Sequence, residues 1–260
     1  MTDPNRPSFS DALKSVRSVQ KTTKGAPGYS RFVNRKAGAV LAALTYVWGW
    51  TPNRVTAVSA LFTFGGIGLI ATLEPTPLLG VAITLALVLG YALDAADGQL
   101  ARLRGGGTAE GEWLDHVVDS IKISALHIAV LIAVYRHFDV APEYLLIPLG
   151  FHLVAAVLFF TMILNDQLRR RHADRAPQAG STSVRRSILV APTDYGVLCL
   201  LFLAFGFGQA FLVGYAALFA ANATFLAMAL VKWRGEIAEL TPPVTRPAQS
   251  QHSPSEDPAS

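Results

Sequence analysis

The chain has 260 residues, of which 52% are hydrophobic and only 15% charged, against about 25% charged in an average soluble domain. That balance excludes intrinsic disorder and argues against a soluble globular protein. A formal net charge of +4 without an interleaved basic and aromatic patch gives no nucleic-acid footprint. Cys199 is the only cysteine, so neither a disulfide framework nor a cysteine-based metal site can be built. The N-terminal run MTDPNRPSFSDALKS lacks the basic region, apolar core and small-residue site of a cleaved signal peptide, and none is expected.

Uncharged stretches at 55–72, 76–93 and 211–231 reach the roughly 17 to 25 residues that a helix needs to cross a bilayer. The expected fold is therefore all-α and polytopic, an integral membrane protein. Residues 1–30 form a polar N-terminal segment, in which a short basic amphipathic helix from near Ser10 sets Leu13, Val16 and Val19 at helical spacing. This helix is expected to rest on the membrane surface. Residues 37–50 are apolar but too short to span. Flanked by Arg35 and Lys36 and ending in Trp48 and Trp50, they read as an interfacial helix.

Six transmembrane helices are expected next, at 53–73, 77–103, 111–134, 142–164, 193–207 and 209–232. Thr51 and Pro52 supply a cap and a first-turn proline for the first span. Pro148 is expected to kink the fourth, and the fifth is short. Together, residues 31–235 make one membrane domain, followed at 236–260 by a Pro- and Ser-rich tail that reads as disordered.

Basic residues gather before the first span, after the second (Arg102, Arg104), after the fourth (Arg169 to Arg171, Arg175, Arg185, Arg186) and after the sixth, whereas the opposite loops hold only Arg136. The positive-inside asymmetry then places both termini and the 102–112 and 165–192 loops in the cytoplasm.

Acidic residues inside spans cost about 2.5 to 3.5 kcal/mol each at a helix centre, so a cluster of them marks a functional site. The second span ends LDAADGQLARLR and the third begins GEWLDHVVDS. At 100° per residue, Asp94, Asp97, Gly98, Ala101 and Arg102 fall within an arc of about 140°, and Glu112, Asp115, His116 and Asp119 within about 100°. The short connection, with Gly105, Gly106 and Gly107, makes the two helices antiparallel neighbours whose acidic faces can meet.

Four carboxylates so placed call for positive charge between them, and two divalent cations would cancel it. All-oxygen ligation favours Mg²⁺ or Mn²⁺ over Zn²⁺, and two-metal sites mostly handle phosphoryl transfer. Gly98, Ala101 and Gly111 would let a nucleotide approach the backbone, and Arg102 can pair with a phosphate.

The sequence Asp94-x-x-Asp97-Gly98-x-x-Ala101-Arg102, eight residues, Gly111-x-x-x-Asp115-x-x-x-Asp119 resembles the complete signature of the CDP-alcohol phosphotransferases at all eight fixed positions. The resemblance extends over about residues 30–235, including the Thr51-Pro52-Asn53 opening of the first span. It implies a phospholipid-biosynthetic enzyme that moves a phosphoalcohol or phosphatidyl group from a CDP-alcohol to an acceptor hydroxyl and releases CMP. One of the two substrates is a lipid.

By the same resemblance, Asp94, Asp97 and Asp115 hold the metals and Asp119 is a ligand or the general base. Gly98, Ala101, Arg102 and Gly111, joined by Asn53, line the nucleotide site. A bacterial inner-membrane location follows from the chain's similarity in size to bacterial members, and a homodimer is common in the family.

The run Gly111-Glu112-Trp113-Leu114-Asp115-His116 also resembles the Gly-Glu-Leu-Phe-Asp-His of choline and ethanolamine phosphotransferases, in which the Glu and His are implicated in deprotonating the acceptor. Glu112 and His116 are i,i+4 partners, so an ordinary helix pair is the competing reading. Lys122 either neutralises a neighbouring acid or binds substrate. His127 and His152 read as satisfied interior histidines, and Asn53 and Asp194 can serve simply as helix caps. Arg185 and Arg186, just before the fifth span, are candidates for a substrate phosphate or anionic lipid. A cation- or proton-coupled transporter and a non-catalytic scaffold are the rival functions; the transporter would need ionisable residues spread across the membrane rather than gathered at one end.

Overall fold

The computed structural model describes residues 8–19, 27–172 and 193–240, and within them every regular element is helical. Eight α-helices occur: α1 Phe9–Ser18, α2 Arg35–Val47, α3 Pro52–Thr72, α4 Pro77–Leu103, α5 Ala109–His137, α6 Leu146–Arg171, α7 Tyr195–Leu201 and α8 Gly208–Ala238. Five helical stretches are long and apolar enough to cross a membrane: α3, α4, α5, α8, and α6 together with the 3-10 turn Pro142–Leu145 that leads into it. The chain is an integral membrane protein.

The helix starts follow local chemistry. Thr51 accepts a hydrogen bond from the Arg54 amide, Thr76 from Leu79 and Thr108 from Gly111, each oxygen satisfying an amide of the first turn. Pro52 and Pro77 follow the first two caps, where a missing N–H costs nothing. Pro148, expected in mid-span, falls in the first turn of α6, which begins at Leu146 and continues to Arg171, so its missing N–H is one that would have no partner within the helix. Segment 193–207 is shorter as a helix than expected: α7 ends at Leu201 and a 3-10 turn, Phe202–Ala204, continues it. Gly208, at φ +22, then opens α8, which continues past 232 to Ala238.

Two cores hold the bundle. One lies around Phe151, Phe202, Phe205, Phe211 and Tyr215, where α4 to α8 meet. The other lies at the start of α3 and the acid-bearing end of α4 and includes Ala39, Ala42 and Ala43 of α2. The α1 helix expected on the membrane surface buries Ala12 and Val16 in this second core, because α2 presents small alanines to them. Val19, the third residue of the expected apolar stripe, stays exposed. A close approach of α3 to α4 fixes the site's frame: Ser59 Oγ donates to the Gly90 carbonyl at 2.8 Å, and a Cβ on Gly90 would lie 2.2 Å from Thr63 Oγ1.

Candidate active site

The turn between α4 and α5 needs left-handed backbone, and Gly105 and Gly106 supply it at φ +98 and +124. The chain therefore reverses within a few residues and sets the end of α4 beside the start of α5. Oxygens of Asp94, Asp97 and Asp115 then lie within 4.8 Å of one another.

Asp97 is buried, and its Oδ2 accepts a 2.6 Å hydrogen bond from Thr56 Oγ1 on α3. Lys122, also buried, donates to Asp94 Oδ1 at 2.6 Å and to Asp119 Oδ1 at 3.1 Å. Asp119 thus stands one step from the three-carboxylate cluster, tied to it through the ammonium. If all four acids are ionised, Lys122 offsets one of their charges and three remain. An oxygen-only donor set with that surplus suits a hard divalent cation, so the residues present fit the metal that the motif implies.

The small residues sit beside this cluster. A Cβ on Gly98 would lie 3.5 Å from Arg102 Nη1, so the guanidinium folds over the glycine. Arg102 Nε is buried without a hydrogen-bond partner among the described residues, a donor suited to an anion. A Cβ on Gly111 would meet Thr108 Oγ1 at 3.3 Å and Asn53 Oδ1 at 3.5 Å, which brings Asn53 to the same wall. Ala101, half-buried, lies one turn beyond Asp97.

Glu112 and His116 form the expected i,i+4 pair at 3.9 Å, but the Glu112 carboxylate also accepts from Arg170 Nη1 at 3.0 Å. Arg170 in turn pairs with Asp166 at 2.7 Å, so Glu112 belongs to an ion network joining α5 to α6. The His116 ring stands edge-on to Phe159, with centroids 6.5 Å apart. His127 is buried, its Nδ1 2.6 Å from the Tyr215 hydroxyl. Arg185 and Arg186 lie outside the described residues.

Two contributors escaped the sequence reading. Thr56 is one turn beyond Asn53 on α3, a spacing that hints at a shared face. Arg170 sits in an arginine run that gives no sign which member pairs inward.

A family model described as CDP-alcohol phosphatidyltransferase matches residues 49–233. The chain belongs to that family. As a CDP-alcohol phosphatidyltransferase it is a metal-dependent enzyme of phospholipid biosynthesis, which transfers a phosphoalcohol or phosphatidyl group from a CDP-alcohol to a hydroxyl and releases CMP.

Among solved structures it is similar to the Mycobacterium tuberculosis phosphatidylinositol phosphate synthase with CDP-DAG bound. Identity is 22% over 77% of this chain and 93% of that one, with a TM-score of 0.50, a likeness of fold. The same synthase in complex with manganese and citrate matches at 23% identity over 75% of this chain and 87% of that one, with a TM-score of 0.47. No curated protein sequence matches this transferase.

Proposed function

We propose that this transferase binds a CDP-alcohol with its pyrophosphate against Asp94, Asp97 and Asp115 and its cytidine side toward Gly98, Ala101, Arg102, Gly111 and Asn53. The observation that carries this reading is the meeting of three carboxylates within 4.8 Å at the family motif. Two ions, Mg²⁺ or Mn²⁺, held by Asp94, Asp97 and Asp115, would offset the three negative charges that Lys122 leaves on the four acids, with Asp119 kept free of the metal for proton transfer. Bound there, a divalent cation neutralises phosphate oxygens and so lowers the repulsion met by an incoming hydroxyl.

The chain's own groups do the rest. Arg102 offers N–H donors to phosphate oxygens. Lys122 holds Oδ1 of Asp119, leaving Oδ2 to take the proton of the acceptor hydroxyl. The deprotonated oxygen attacks the phosphorus that carries the donor's alcohol, the bridging P–O bond breaks, and CMP leaves with the electron pair. His116, oriented by Glu112, is the rival base, but Arg170 already engages the carboxylate that would orient it.

Residues 31–235 form the catalytic membrane domain in this proposal, with α2 interfacial and α7 belonging to a sixth span. The basic-residue asymmetry supports an active site on the cytoplasmic side, and the likeness in size to bacterial members of the family supports a bacterial inner membrane. Arg185 and Arg186 are proposed to meet a substrate phosphate or anionic lipid.

CMP release from membranes carrying the protein, supplied with a panel of CDP donors and Mg²⁺ or Mn²⁺, tests the reading. Wild type should release CMP and Asp115→Ala should not; equal behaviour of the two would leave a transporter or scaffold in its place.

A further inference from the structure

Two guanidiniums from different helices stand at the end of the site away from Lys122, and only Arg102 belongs to the family motif. Because α4 and α5 run antiparallel, Lys122 and Asp119 meet α4 at the level of Asp94, to which Lys122 donates. Arg102 lies eight residues further toward the turn, about 12 Å along the helix at 1.5 Å per residue. Its side chain folds back over Gly98, one turn nearer the acids. A hydroxyl entering at Asp119 and a group leaving at Arg102 therefore sit at opposite ends of the cluster, as an in-line displacement requires.

Arg102 is held in place with donors still available. Its Nη1 would lie 3.5 Å from a Cβ on Gly98, and its buried Nε has no hydrogen-bond partner among the described residues. Arg104 differs: it donates to the Trp50 carbonyl at 2.8 Å and lies over the Tyr46 ring, fastening the connection between α2 and α3.

Arg35, half-buried at the start of α2, brings the second charge. It lies ahead of residues 49–233, which match the family model. Close contact of α2 with α4 sets its place. Asn34 Nδ2 donates to the Tyr91 carbonyl at 3.1 Å and Gln99 Nε2 to the Arg35 carbonyl at 3.2 Å. A Cβ on Gly38 would fall 2.9 Å from the Ala95 Cβ, so a larger residue there would push α2 away.

These contacts occupy one side of α4. With Asp94 at 0°, Tyr91, Ala95 and Gln99 lie at about 60°, 100° and 140°, while Gly98 and Arg102 lie at about 40° and 80°. The side that receives α2 thus merges with the side that carries Gly98 and Arg102, and there the charges of Arg35 and Arg102 repel one another. Like charges so placed favour an anion between them.

We infer that Arg35 joins Arg102 in holding the phosphate of the leaving CMP over Gly98. This rests on the transferase reading above and adds to it a binding residue outside the motif. When the bond from the bridging oxygen to the alcohol-bearing phosphorus breaks, the electron pair stays on the CMP phosphate, which gains a negative charge. Two guanidiniums aimed at that phosphate stabilise the charge as it develops. Gly98, without a side chain, leaves room for its oxygens beside the helix.

The test is equilibrium binding of CMP, cytidine and inorganic phosphate to the purified full chain with Mn²⁺, comparing wild type, Arg35→Gln, Arg35→Lys and Lys36→Gln. Arg35→Gln should weaken CMP by about tenfold or more, the worth of a charge-assisted hydrogen bond, and leave cytidine unchanged. Arg35→Lys keeps the charge without the fork and should fall between the two, so it carries the test if the glutamine variant does not fold. Lys36→Gln, which alters the exposed neighbour, should match wild type.

Equal CMP affinity in wild type and both Arg35 variants overturns the inference while leaving the transferase intact. So does a parallel loss of CMP and cytidine, the mark of a displaced α2, and so does inorganic phosphate that binds as tightly as CMP. A wild type that binds neither CMP nor any CDP-alcohol overturns the transferase reading itself. Kinetics give a second readout with any donor that turns over: Arg35→Gln should lower kcat more than it raises donor KM, since the charge on the leaving phosphate grows toward the transition state. A raised KM at unchanged kcat would remove Arg35 from the leaving group.

Discussion

Thr56 Oγ1 donates to Asp97 Oδ2 at 2.6 Å, and the bond joins α3 to the metal-binding face of α4. The Pro52 carbonyl, 3.2 Å away, is a second and weaker acceptor for the same hydroxyl proton, so the side chain sits between its own helix and the acid. Asp97 is therefore oriented before a cation arrives, and one of its oxygens remains for ligation.

Removing that bond should weaken metal binding more than chemistry. Thr56→Val keeps the shape and deletes the donor; groups that orient a metal ligand are typically worth about 10- to 100-fold in metal affinity. Titrating activity against Mn²⁺ should show a higher half-saturating concentration with turnover largely recovered at saturation, and Thr56→Ser should restore the wild-type curve. Chelation should abolish CMP release in all three. An unchanged titration for Thr56→Val would remove Thr56 from the site.

Lys122 gives a prediction of stability rather than affinity. Its side chain is 8% exposed and bridges Asp94 and Asp119. Losing one partner of a buried pair costs about 3 to 5 kcal/mol, because the carboxylates are left unpaired. Lys122→Met should melt at a lower temperature in detergent, and added Mn²⁺ should recover part of the loss by supplying the missing positive charge. A deficit indifferent to the metal would mean that the ammonium does not share the cluster's charge.

The proton acceptor can be assigned by comparing turnover at saturating metal. Deleting a general base typically costs about 10²- to 10⁴-fold, so Asp119→Asn should fall in that range. His116→Ala should lose less than about tenfold, because a group outside the chemistry changes kcat little. Glu112→Gln and Arg170→Ala should resemble each other and act mainly on stability, since they sever the same α5 to α6 bridge. A collapse of turnover in His116→Ala with Asp119→Asn active would reverse the assignment.

What could be read in the sequence was local. Thr51-Pro52 and Thr76-Pro77 carry their own helix starts, and the spacing of Asp94 and Asp97 against Asp115 follows from helix periodicity and a glycine turn. These features need no knowledge of the rest of the chain. Thr56, Arg170 and the covered face of α1 were not legible, because each is defined by what lies opposite it. A threonine in an apolar helix looks the same whether it faces lipid or a carboxylate. The length of α7 was equally hidden: its apolar run continues through Phe202 to Phe207, but the backbone tightens into a 3-10 turn where Phe202 and Phe205 pack against Phe211.

Asp194, read from the sequence as a helix cap, does more than cap. Its Oδ1 accepts from the Gly196 amide at 3.1 Å, closing the first turn of α7, while Oδ2 accepts from the Ser30 amide at 2.7 Å. One buried carboxylate thus ties the segment before α2 to the start of α7, and Asp194 and Ser30 both line the cavity that Asp94 and Asp119 also line. Close packing supports the junction, since a Cβ on Gly196 would fall 1.9 Å from the Tyr29 ring. Loss of a cap costs about 0.5 to 2 kcal/mol, and a stranded buried amide adds about 1 to 3 kcal/mol. Asp194→Ala should therefore lower the melting temperature and speed hydrogen exchange at the Ser30 and Gly196 amides together. Asp194→Asn, which keeps one accepting oxygen, should protect one amide and release the other. Exchange that rises only at Gly196 in the alanine variant would reduce Asp194 to an ordinary cap.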